Sequence, residues 1–419
     1  MSKEKLPRVI LHSDLDNFYA SVEILKHPDL KEKPVAVCGD REQRHGVVLA
    51  KNSIAKRAGV KTGDVLWQAK QKCPELVEVP ACFSDYLRVS KAVRKIYERF
   101  TDRIEAFGID ECWLDISQTA AMFGGGEKIA KNIRTTIREE VGITASVGIS
   151  WNKIFAKLGS ELNKPDGQFE ISFENYKRTA WEQPVGELLY VGRATAEKLR
   201  AVGIFTIGDL ARADTVVLCR LLGKWGYYLH DFANGKDEAP VIKKEEEQNV
   251  KSIGNSLTNY RDLETEEEAV LLIYLLSDSV ASRLREGMFG KAECVKISVV
   301  DSSLNRYVKQ GKLRRPSKLS TDIAQKAIAL LRQVYPWHLP IRGIGVSVSE
   351  FTYGCEQMDI FADLQREERD EKLESALDAI RKKYGNNVIQ RASILKDTRL
   401  RRLDIKEEHV IRPENYFGK

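Results

Sequence analysis

No C-x-x-C pair, no histidine cluster and no long apolar run occurs in this sequence, and each absence removes a class of protein. The seven cysteines are odd in number and scattered. They argue against a structural zinc site and a disulfide framework, and they fit a reducing cytoplasm. The longest apolar stretch, AVLLIYLL at 269–276, falls far short of the ~20 residues a membrane-spanning helix requires. The opening residues, MSKEKLPRVI, lack the apolar core of a secretory leader. No internal repeat or low-complexity tract stands out. These absences predict a cytoplasmic protein with no membrane partner.

What is present is ordinary in bulk. A chain of 419 residues is too long for one core and predicts several domains. Hydrophobic content of 42% and charged content of 31% describe a soluble globular protein. The net charge of +6 is modest, but the segment from Lys291 to Lys318 alone carries eight bases against two acids, an excess equal to that of the whole chain. Charge gathered in this way marks a nucleic-acid surface, or, on its own, a solvated basic face.

Periodicity divides the chain. Residues 1–170 alternate strand-like runs (VILHSDL, KPVAVCG, GVVLAKN, ECWLDIS, TASVGIS) with helical patterns at Tyr86–Thr101 and Glu127–Glu140, which predicts a mixed α/β sheet with helices on one face. Residues 171–235 read as helical. The stretch KDEAPVIKKEEEQN at 236–249 reads as a tether. A βαββαβ order follows from 250 to 351, with helices at 266–286 and 320–334, and predicts a small α+β domain with one open sheet face. A charged helix near 365–384 and a basic end complete the chain.

Three carboxylates stand at the ends of two apolar strands. Asp14 lies in SDLDNFYA, and Asp110 and Glu111 lie in EAFGIDECWLDIS. Acids so placed are costly unless paired or bound to a cation. A donor set of hard oxygens favours Mg²⁺, which usually accompanies a phosphate substrate. Asp16, two residues from Asp14, would share its face in a continuing strand. Adjacent Asp110 and Glu111 face opposite ways in a strand, so joint ligation requires a turn or kink.

The strings SDLDNFYASVE, VVLAKNSIAKRAGVKTGD, GIDECWLDIS and SVGISWNKIFAKLGSELNKPDG, in this order and spacing, resemble the Y-family, or translesion, DNA polymerases over roughly residues 7–351. The resemblance implies a right-hand architecture of α/β and α+β domains: palm (1–17 and 82–170), fingers (18–81), thumb (171–236), linker (237–249), little finger (250–351) and a C-terminal tail (352–419). It implies addition of dNTPs to a primer 3′-hydroxyl with two Mg²⁺ ions, for which Mn²⁺ can substitute, and no proofreading. Asp14, Asp110, Glu111 and the carbonyl of Leu15 match the metal ligands, while Asp16 matches a position that is usually not a ligand. Tyr19 matches the steric gate beneath the incoming sugar, and Lys164 the triphosphate lysine. Ser53 and Lys56 stand where many members present Tyr and Arg to the triphosphate, with Arg57 beside them. Gly108 replaces a common Ser before the acidic pair.

YVGRATAEKLRAVGIFTIGDLARA at 190–213 resembles a helix-hairpin-helix, with Gly192 at the DNA-facing turn. Lys296, Arg306, Lys309, Lys312, Arg314 and Arg315 of the little finger match a sequence-independent grip on primer–template DNA. Gln357, Ile360 and Phe361 resemble the peptide that bacterial polymerases insert into the sliding clamp. The protein is expected to be a monomer. A nucleotide cyclase on a palm-like sheet and a catalytically silent DNA or clamp scaffold are the alternatives.

Overall fold

The computed structural model describes residues 8–39, 46–243, 250–353, 364–397 and 399–402. Gln357, Ile360 and Phe361 lie outside them. The described chain forms two compact units, one from 8–38 and 48–243, the other from 250–402.

In chain order the first unit runs β1 (Ile10–Leu15), α1 (Phe18–Lys26), β2 (Val35–Cys38), β3 (Val48–Lys51), α2 (Ser53–Arg57), α3 (Leu66–Lys72), β4 (Val77–Pro80) and α4 (Phe83–Tyr97). It continues through β5 (Ile104–Ala106), β6 (Glu111–Asp115), α5 (Ala120–Phe123), α6 (Gly126–Thr136), β7 (Ala145–Ser150), α7 (Lys153–Leu162), β8 (Gln168–Glu170) and α8 (Tyr176–Thr179). Two helical hairpins close it: α9 (Arg193–Ala201) with α10 (Ile207–Arg212), and α11 (Thr215–Leu222) with α12 (Lys224–Ala233).

The main sheet has the order β5-β6-β1-β7-β8, with β1 at its centre. Strand alternation sorts β1 cleanly. Leu11 and Leu15 join Leu114, Val147 and Ile149 in a core shared with α1, α4 and α6. Ile10 and Trp113 pack with Ala156 of α7 on the opposite face. Helices therefore cover both faces of the sheet, a correction to the one-face expectation. The reason is local to Gly148 in β7: a Cβ there would lie 1.8 Å from the Ala156 carbonyl oxygen. Only glycine lets α7 lie directly on the sheet.

A smaller sheet, β3-β2-β4, carries α2 and α3. Asn52 pins α2 to it, its Oδ1 accepting from Val35 N (3.1 Å) and Ala55 N (3.0 Å).

The second unit holds β9 (Ser252–Leu263), α13 (Glu266–Glu286), β10 (Lys291–Asp301), β11 (Arg306–Ser317), α14 (Ser320–Val334), β12 (Ile341–Thr352) and α15 (Leu364–Tyr384). Its strands form an antiparallel sheet in the order β11-β10-β12-β9. Thr265 and Glu268 form a reciprocal capping box at the start of α13. The charged segment beyond β12 is fastened to this unit. The Glu367, Glu371, Glu374 and Asp378 side chains of α15 meet Lys291, Lys318 and Arg285. Beyond α15, Ile394 and Leu400 are buried in the same core as α13 and α14.

Candidate active site

β1 delivers Ile10, His12 and Asp14 to the face covered by α7. Antiparallel pairing sets Asp14 directly opposite Glu111, the first residue of β6. Asp110 precedes the strand in a hairpin turn, where the amides of Phe107 (3.0 Å) and Gly108 (3.3 Å) both donate to the Glu111 carbonyl. The Asp110 carbonyl accepts from Leu15 N at 3.1 Å, which locks the turn to the end of β1. Asp110 therefore stands in the turn, outside the strand alternation that begins at Glu111. Gly108 belongs to it sterically, since a Cβ there would approach Asp110 Oδ1 to 3.1 Å.

The acids are electrostatically unequal. Burial, opposed by Lys164, lifts the Asp14 carboxyl to about 7. Burial and the Glu111 charge lift Asp110 to about 6. Glu111, although burial works against it, is drawn down to about 2 by His12 and Lys157. Among the described residues no three ligating side chains surround one point. Ammonium groups stand on the acids instead: Lys164 Nζ lies 2.8 Å from both Asp14 Oδ2 and Glu161 Oε1, and Lys157 pairs with Glu111. Two cations already compensate carboxylates of purely hard-oxygen character, so the donor set fits a divalent metal.

Asp16 takes no part in this cluster. β1 ends at Leu15, so the alternation that would put Asp16 beside Asp14 stops one residue short. Its Oδ1 accepts from Ser146 Oγ (2.8 Å) and its Oδ2 from Asp166 N (2.8 Å), which holds the N-K-P-D-G turn that carries Lys164.

Tyr19, half-buried at the start of α1, stacks on Tyr86 with centroids 4.2 Å apart and an interplanar angle of 12°. Phe83 meets it edge-on at 5.9 Å. Tyr86 is anchored in turn by donating to Glu23 Oε1 at 2.7 Å. Burial and the Asp110 charge push the Tyr19 phenol to about 12, which puts the ring in the field of the acids.

Ser53 and Lys56 are exposed on α2, whose N-terminus the Asn52 side chain caps. Burial and neighbouring Lys56 lower the pKa of Lys51. Gly192 is exposed at the N-terminus of α9, with open space where a Cβ would stand. In the second unit Lys296, Arg306, Lys309 and Arg314 are exposed on β10 and on the edge strand β11. Lys312 reaches Glu293 (3.4 Å) and Glu350 (3.3 Å), and Arg315 lies 3.9 Å from Glu367 of α15.

Sequence reasoning missed His12, Lys157, Ser160, Tyr86 and the second helical hairpin. Position offered a signal for two of them: His12 is two residues before Asp14 in the strand, and Lys157 and Ser160 are one helical turn apart on α7. Nothing in the sequence announced the long-range stack of Tyr19 on Tyr86.

The impB/mucB/samB family matches residues 13–161, and its C-terminal domain matches residues 250–360. The chain is 48% identical to a DNA polymerase IV from Acetivibrio thermocellus over 95% of its own length and 100% of the relative's. It is 35% identical to DNA polymerase IV 1 of Bacillus subtilis, over 93% of this chain and 94% of that one. Among solved structures, a Y-family DNA polymerase chimera superposes with a TM-score of 0.73 at 26% identity, covering 83% of this chain and all of the other. The fold and site thus define a metal-dependent nucleotidyltransferase. The chain belongs to the Y family of DNA polymerases and is a translesion DNA polymerase most like bacterial DNA polymerase IV. It binds DNA and dNTPs. The match runs through the second unit, which a cyclase would not need, and the relatives are named as DNA polymerases, so the cyclase and silent-scaffold alternatives are set aside. Among the described residues no helix is long and apolar enough to cross a membrane.

Proposed function

We propose that Asp14, Asp110 and Glu111, with the Leu15 carbonyl, hold two Mg²⁺ ions, replaceable by Mn²⁺, for primer extension. The observation that carries this reading is Asp14 paired directly across from Glu111 at the adjoining ends of β1 and β6, each with a lysine ammonium group on it, and Asp110 in the turn just before β6. Bound by these residues, the ions would supply Lewis acidity to the primer 3′-hydroxyl and charge neutralisation to the triphosphate and departing pyrophosphate.

The remaining roles belong to the chain's own side chains. Lys164 exchanges Asp14 for triphosphate oxygens, and Lys56 with neighbouring Lys51 adds positive potential on the fingers side. A lysine cannot form the bidentate fork of arginine, so nucleotide affinity is lower than in members with Tyr and Arg at these positions. Tyr19, braced by Tyr86 and Phe83, fills the space a 2′-hydroxyl would need. Gly192 offers backbone amides to a DNA phosphate. Lys296, Arg306, Lys309, Lys312, Arg314 and Arg315 hold backbone phosphates without regard to sequence. Palm, fingers, thumb and little finger take the boundaries given in the sequence analysis. Gln357, Ile360 and Phe361 engage a sliding clamp, and the polymerase works as a cytoplasmic monomer.

The test is a metal titration of single-nucleotide incorporation by the parent, Asp14→Ala and Lys164→Ala. Asp14→Ala should lose turnover, whereas Lys164→Ala should chiefly raise the KM for dNTP. An unchanged metal dependence in Asp14→Ala overturns the ligand assignment.

A further inference from the structure

His12 lies beneath the acidic cluster with no exposed surface. Its ring sits edge-on to Trp113 at 5.2 Å. Nε2 is 3.2 Å from Glu111 Oε2, within ion-pair reach though off the line of an ideal hydrogen bond. Nδ1 is 2.9 Å from Ser160 Oγ. The same hydroxyl lies 2.7 Å from the Lys157 carbonyl, one turn earlier on α7. Lys157 returns to the cluster through its side chain, paired with the same Glu111 oxygen.

These contacts describe an outer shell. With the ring proton on Nε2, opposite the buried Glu111 carboxylate, Nδ1 takes the single Ser160 hydroxyl proton, which then no longer serves the Lys157 carbonyl. Glu111 then receives one donor from a side chain that cannot turn, because sheet, Trp113 and α7 enclose it. The other donor, Lys157, ends in a flexible ammonium group that a metal ion can displace. Ligating groups are commonly oriented by partners of the first kind, and losing such a partner costs about 10- to 100-fold in metal affinity or activity.

We propose that His12 is a positioning residue that fixes the Glu111 carboxylate as a metal ligand, with Ser160 fixing the ring. The proposal rests on Glu111 being a ligand, as set out under Proposed function.

The experiment uses the full chain with a dideoxy-terminated primer–template and dNTP, and follows Mn²⁺ binding by electron paramagnetic resonance beside steady-state kinetics. His12→Leu should weaken Mn²⁺ binding and lower kcat by about 10- to 100-fold, with DNA affinity unchanged. His12→Gln, whose amide N–H can reach Glu111, should recover most of the loss. Ser160→Ala, which keeps the imidazole, should weaken binding in the same direction but less. If His12→Leu fails to fold, His12→Gln and Ser160→Ala carry the decision. Parent-like binding in His12→Leu and Ser160→Ala, with binding lost in Glu111→Ala, overturns the positioning role. Parent-like binding in Glu111→Ala itself overturns the ligand reading instead.

Discussion

Metal affinity in this site should depend steeply on pH below neutrality, because two of its acids hold their protons unusually late. Without metal, burial lifts Asp14 to about 7 and Asp110 to about 6. A cation accepts ionised carboxylates, so each bound proton must leave first. Below pH 6 both are displaced, and the logarithm of the apparent association constant should rise with a slope of about 2 per pH unit. Between the two values the slope falls to about 1, and above neutrality the curve is flat. Between pH 5 and pH 8 the total gain is roughly a thousandfold. Stability moves the opposite way in metal-free protein. Both folded values lie above the ordinary 3.8, so the stabilisation that accompanies these protons is full below that value and is lost as pH rises through about 6 and 7. At about 1.4 kcal/mol per pH unit, buried Asp14 withdraws a few kcal/mol over that range. Mg²⁺ should therefore raise the melting temperature more at pH 8 than at pH 6. Calorimetric titration of Mg²⁺ or Mn²⁺ from pH 5 to 8, beside thermal melts at both ends, measures both effects. An affinity that does not change over this range would refute the reasoning.

Tyr19→Ala should lower dNTP-over-rNTP discrimination by one to two orders of magnitude, roughly the span of a pocket-filling contact, as read from the ratio of kcat/KM values. Tyr86→Leu, which removes the ring on which Tyr19 stacks, should lower it less. Ile394→Ala or Leu400→Ala should destabilise the second unit by about 2–5 kcal/mol in urea melts, since both side chains are buried in its core. Replacing Ile360 and Phe361 by Ala should leave synthesis on a bare primer unchanged and abolish stimulation by a loaded sliding clamp.

The parts most legible in the sequence were those whose signal is local. The helices at 266–286 and 320–334 coincide with α13 and α14, because amphipathic periodicity and, for α13, a Thr–Glu capping box mark their limits. The expected break in the strand at the acidic pair was legible, and Asp110 does lie in a turn just before β6. Less legible were contacts between distant segments. That α7 covers the second sheet face depends on a missing side chain at Gly148, which no periodicity reports. That Asp16 braces the Lys164 turn depends on where β1 ends, a matter of one residue. The segment after β12 read as a tail because its helix is charged all round. Its acidic stripe meets bases of the second unit instead, and the anchoring Ile394 and Leu400 are too isolated in sequence to signal a core.

The central claim is that Asp110 and Glu111 act together in template-directed phosphoryl transfer. Primer extension on a short template, with Mg²⁺ and dNTPs, tests it most directly when parent and the Asp110→Ala/Glu111→Ala double variant are compared at equal DNA occupancy. The account predicts that the parent extends the primer and that the double variant binds the same DNA with nearly the same affinity but adds no nucleotide. Nucleotide addition by the double variant would contradict it.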